Sequence, residues 1–110
     1  ANKLINASTE DTDGFRSFAW GLYFRGVFLA KKKEFQEAES NLVKSQNMAI
    51  SWREQRLVAY VQRRLAWIYA ETDRNPLAAL AASEALDIFT RLGLDQEITE
   101  MQDLLLQLRK

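Results

Sequence analysis

The residues of this chain that could do chemistry are carboxylates, arginines and aromatic rings, because histidine and cysteine are both absent. Without them no thiolate or imidazole metal site, cysteine nucleophile or Ser-His-Asp triad can be built. The paired carboxylates Glu37/Glu39 and Glu71/Asp73 remain as acid/base candidates, but they fall at turn or surface positions with no apolar setting that would raise a pKa. Gly21 and Gly26 lie within a helical pattern and lack the Lys-Ser/Thr of a phosphate-cradling loop. The expectation is therefore no enzyme, no metal and no cofactor. Binding chemistry is what is left. Arg53, Arg56, Arg63 and Arg64 concentrate positive charge that could attract an acidic peptide or a phosphate and, with aromatics interleaved, nucleic acid as a third-ranked reading. Against that reading, 15 Lys and Arg balance 15 Asp and Glu, so the chain has no broad basic field. Neither a nucleic acid nor a membrane surface is expected as partner. Asn6-Ala7-Ser8 matches a glycosylation acceptor, a triplet that arises often by chance.

These side chains must be positioned by helices. The 110 residues fit one domain, and 47% apolar residues suffice for a core. One Pro and four Gly, with apolar positions recurring every three or four residues, predict helix throughout. Residues 1–9 read as the end of a preceding helix, followed by possible N-caps from Ser8 to Asp13 and a new helix from about Asp13. Its core stripe is Phe15, Phe18, Leu22, Gly26 and Leu29, and it ends at Lys31-Lys32-Lys33. Phe35, Ala38, Leu42, Ser45, Ala49 and Trp52 define a second helix, closed by the Arg53-Glu54 turn. A third, from about Gln55 to Thr72, sets Leu57, Val61, Leu65, Ile68 and Thr72 on one face. Asn75 is expected to cap the fourth helix with Pro76 in its first position, Ala78, Ala82, Ala85, Phe89 and Leu92 to form its face, Gly93 to end it, and Asp95 to cap a fifth carrying Ile98, Met101, Leu105 and Leu108 on one side.

No apolar run approaches the roughly 20 residues of a membrane span, Leu77 to Ala82 being as long as any. A cytoplasmic setting is expected. The chain starts at Ala1 with no targeting signal in view, and reads as a piece of something longer.

A shift of forty residues sets Gly26 on Ala66, Ala30 on Ala70, Ala38 on Ala78, Met48 on Ile88 and Arg53 on Gly93. Helices cross closely only where side chains are small, so the recurrence implies two antiparallel helix pairs with equivalent close contacts. The expected architecture is all-α: a right-handed α-α superhelix, or solenoid, of two helix pairs (13–52 and 53–93) plus a C-terminal capping helix (94–110).

This layout resembles the tetratricopeptide repeat (TPR). Gly26, Leu29 and Ala38 fill that family's small, apolar and alanine places in the first unit, and Ala66, Tyr69, Ala78 and Ala85 fill them in the second. The stretch Glu84 to Gly93 is similar to the helix-B ending of many bacterial members. The resemblance covers about residues 13 to 93. The forty-residue unit exceeds the family's usual length of about 34, Arg25 takes an apolar place, and Ser45 stands where Ala is expected. A long-helix TPR form is implied, with HEAT-like repeats second. Such forms resemble the peptide- or protein-sensing parts of bacterial signalling ATPases and helix-turn-helix regulators, which implies a scaffold or regulatory role.

Opposite the core stripe, the leading helix of each unit carries a second stripe: Trp20, Tyr23, Val27 and Ala30, in register with Tyr60, Arg63, Trp67 and Ala70. In the resembled family these positions face a concave groove. A partner-binding groove of Tyr23, Val27, Tyr60, Arg63 and Trp67 is therefore expected, with rigid aromatic area for a peptide or helix of a partner protein and Arg63 as polar anchor. The alternative is that the rings are simply buried between repeats, the reading favoured for Trp20. Glu100 and Asp103 of the last helix fall where they could pair with Arg63. A structural alternative to peptide binding is self-association to a homo-oligomer, or docking within a parent protein, through Trp20 and the N-terminal helix end.

Overall fold

Helix ends recur here with a strict period. Lys33, Arg53, Asp73 and Gly93 all adopt left-handed backbone, with φ of 67°, 61°, 59° and 71°, one every twenty residues. At each, the following N–H reaches back to a carbonyl five residues earlier: Glu34 to Leu29 at 2.9 Å, Glu54 to Ala49 at 2.9 Å, Arg74 to Tyr69 at 2.8 Å and Leu94 to Phe89 at 3.0 Å. This is the hydrogen-bond pattern that satisfies the last carbonyls of a helix. The residue after each left-handed position is the N-cap of the next helix, its carbonyl accepting from Ala38, Val58, Ala78 or Ile98.

A computed structural model describes residues 2–110, with side chains from Gly14 onward. It contains α1 (Asn2–Lys31), α2 (Phe35–Trp52), α3 (Gln55–Glu71), α4 (Asn75–Leu92) and α5 (Asp95–Leu108), with no strand among the described residues. The class is all-α, and each helix packs on the next, with α1 also touching α3.

Three boundaries differ from expectation. The break expected near Asp13 is absent, because α1 runs unbroken from Asn2. Ser, Thr and Asp are only mildly unfavourable within a helix, and without a proline nothing forces a stop. The capping side chains anticipated from Ser8 to Asp13 lie outside the described side chains. Asn75 and Asp95 are first helical residues rather than caps, the cap positions falling to Arg74 and Leu94. The turn explains the shift, since its back-bonded residue is already the N-cap whatever its side chain. Pro76 remains in the first turn and Gly93 ends α4, as expected.

The core follows the repeat. Gly26 and Ala66, Ala38 and Ala78, Leu42 and Ala82, Ser45 and Ala85, and Ala49 and Phe89 are buried pair by pair at the forty-residue shift. Gly26 is where α1 meets α2: a Cβ there would lie 2.6 Å from Leu42 Cγ. The buried Ser45 hydroxyl donates to the Ala19 carbonyl of α1 at 2.7 Å, which offsets the cost of a polar atom where Ala was expected. Two stripe positions were misplaced: Phe18 is 61% exposed and Leu92 40% exposed. Leu104, rather than Leu105, is the α5 leucine buried beside Met101.

The helix junctions are also tied by charge. Arg74 grips both carboxylate oxygens of Glu39, at 3.1 and 2.8 Å, and its guanidinium lies 4.7 Å over the Tyr69 ring. Partial burial, and secondarily the Glu39 charge, push the Tyr69 hydroxyl above its ordinary pKa of 10.0, with Arg74 opposing. Because the folded-state value is the higher one, this contribution to stability is complete below about pH 10 and is lost as pH rises through the folded-state pKa. Tyr69→Phe is therefore expected to flatten the alkaline fall in stability. Urea midpoints at pH 9 and pH 11 check it, and equal falls for wild type and variant would contradict it.

Candidate binding groove

The five groove residues are brought together along the seam between α1 and α3, but they divide into a floor and a lip. Tyr23 belongs to the floor and is only 5% exposed. Its ring lies 6.2 Å from Tyr60, and Tyr60 in turn is 5.8 Å from the fully buried Phe89 of α4. Trp20 packs edge-on to Tyr23 at 5.9 Å and to Tyr60 at 6.2 Å. Such offset and edge-to-face pairs add to the burial of ring area. Tyr23 therefore holds helices together and offers little surface to a partner.

Arg63 also lies deep. Its side chain is 14% exposed and donates to Glu100 of α5 at 2.9 Å. Its guanidinium sits 5.2 Å from the Tyr60 ring centre, 5.3 Å from Trp67 and 5.9 Å from Phe89. The pairing anticipated with Glu100 is present. Among the described residues Asp103 makes no such bond to Arg63. A guanidinium spent on an ion pair and three ring faces holds α3 to α5 and is poorly placed to anchor a ligand.

Val27 and Trp67 form the lip. They line an open pocket of about 230 Å³ together with Ala30, Phe35, Ile68 and Arg64. Lys31, Lys33 and Glu71 complete its rim, with Lys33 paired to Glu71 at 3.3 Å. Three cations against one carboxylate leave the rim positive. The Arg64 guanidinium lies 5.0 Å from the Trp67 ring centre, which also has Arg63 at 5.3 Å. Spacing alone pointed to Arg63, because it is the residue in register with Tyr23. Arg64, one residue further along the helix, is the arginine that lines the opening. The pocket sits where α1 and α3 end, and the left-handed turn at Lys33 brings Phe35 in to close it.

The pocket thus combines an apolar lining with a cationic edge, and among the described residues no group of three or more Asp or Glu is placed to hold a metal. No described helix is long and apolar enough to cross a membrane. No protein-family model, curated protein or solved structure matches this chain.

Proposed function

We propose that the chain is a protein-protein interaction module without enzymatic activity, a TPR-like right-handed solenoid of two helix pairs with α5 as its cap, acting in the cytoplasm as the regulatory part of a larger signalling protein. It takes a peptide or helix of a partner in the groove between α1 and α3, seating an apolar side chain in the pocket and an acidic one on its rim. The observation that carries the reading is the in-register pair Val27 and Trp67, which line one open pocket beside Arg64, Lys31 and Lys33. Apolar floor plus a few convergent polar groups is what small recognition sites require.

Screening the chain against a library of acidic and apolar peptides tests this. For binders selected on wild type, Trp67→Ala is expected to weaken affinity at least about tenfold, as loss of a central aromatic anchor does. Arg56→Ala, at an exposed position earlier on the same helix, is expected to change it less than about twofold, since isolated rim charges contribute little. Equal binding by wild type and Trp67→Ala would discard the groove.

A further inference from the structure

The side of α1 turned away from the core is bare. Phe18, Phe24 and Phe28 are 61%, 61% and 60% exposed, and Gly14, Ser17 and Gly21 lie exposed along the same side. A Cβ on Gly14 or Gly21 would meet nothing within 4 Å. Steps of three and four residues from Gly14 through Ser17, Gly21 and Phe24 to Phe28 are those of a seam between two helices. The seam is graded, with Gly14 and Ser17 before Gly21, Phe24 and Phe28 after it, and Phe18 at its edge.

That grading is self-complementary in one arrangement. If a second α1 lies antiparallel about a two-fold axis through Gly21, positions equally far from Gly21 face each other. Phe28, seven residues on, then falls over the Gly14 of the other copy, and Phe24, three residues on, falls level with its Phe18 and one residue from its Ser17. A parallel pairing would set ring on ring at one end and leave a gap between glycines at the other. At about 200 Å² per ring, the three phenylalanines leave roughly 350 Å² per copy uncovered, less than half of the ~800 Å² per partner in a standard interface, so the association this face supports is a weak one. Arg25, Lys31 and the exposed seam backbone flank them. We propose that two copies of this chain associate through the Phe18–Phe28 face of α1 as an antiparallel, two-fold dimer, on a surface separate from the groove.

Because the chain has no cysteine, introduced thiols report the geometry directly. Under mild oxidation Gly21→Cys is expected to cross-link to itself, and Gly14→Cys to cross-link to Phe28→Cys in a mixture while neither does so alone. In sedimentation equilibrium the 110-residue chain should rise from 12.7 kDa to a plateau at twice that mass. Phe24→Glu with Phe28→Glu should hold the mass at the monomer with helical content unchanged, as should Gly21→Arg, whose site is open within the monomer. A monomer at every concentration from micromolar to millimolar overturns the proposal. So does a dimer indifferent to these substitutions, a mass that climbs without plateau, or Gly14→Cys cross-linking to itself.

Discussion

Phe89→Ala is expected to destabilise the fold by about 3–5 kcal/mol, the range for removing a fully buried aromatic ring. The ring is 0% exposed and stands where three helices converge, 5.8 Å from Tyr60 of α3 and 5.9 Å from the Arg63 guanidinium that pairs with Glu100 of α5. Two losses combine. The apolar contacts disappear and leave a cavity, and Arg63 loses one of the ring faces that shield its ion pair from water. Since a domain of this size is stable by only about 5–15 kcal/mol, the variant should melt well over ten degrees lower. Thermal unfolding followed by circular dichroism checks this, and a loss below about 1 kcal/mol would mean that Phe89 is not the junction described.

A matched pair of glycine substitutions has the next largest effect. Gly26→Leu and Gly21→Leu exchange the same residues in the same helix, so the gain in helix propensity, up to about 1 kcal/mol, is common to both. At Gly26 even a single Cβ would fall 2.6 Å from Cγ and 2.8 Å from Cδ2 of Leu42, and 3.2 Å from the Ala38 carbonyl. Leu42 is itself 0% exposed and has nowhere to retreat. Overpacking of this kind costs about 1–3 kcal/mol or more, and a whole leucine belongs at the upper end. At Gly21 the new side chain meets open space. Chemical denaturation at micromolar concentration should show Gly26→Leu strongly destabilised and Gly21→Leu equal to or above wild type. Similar midpoints for the two would show that α1 does not approach α2 at Gly26.

The helices themselves were legible because their apolar spacing and small residues encode packing directly. Gly26, Ala38, Leu42 and Ala49 could be placed in the core from period alone, and so could the burial of their partners forty residues on. The turns were only half legible. Gly93 announces a left-handed residue, whereas Lys33, Arg53 and Asp73 adopt the same conformation against their intrinsic preference. Hydrogen bonds to the preceding helix impose it, and those bonds leave no mark in residue type. Phe18 was misplaced because α1 has only one packed side, and a three-and-four pattern cannot tell an occupied neighbour from an unoccupied one. The groove was legible as a stripe but not as depth. Whether Tyr23 or Trp67, Arg63 or Arg64 reaches the opening depends on how far α4 and α5 close over the seam, which is a matter of tertiary distance rather than spacing.

The uniform interval between left-handed residues also carries a mechanical consequence. Each helix advances its side chains by about 100° per residue, so the joints act as fixed phase marks along a rotating pattern. Deleting a single residue inside a helix would swing the contacts that follow it in that helix about a quarter-turn out of alignment, while removing or duplicating a whole forty-residue block would leave the remaining joints at their twenty-residue spacing. The molecule therefore tolerates change in length only in quanta.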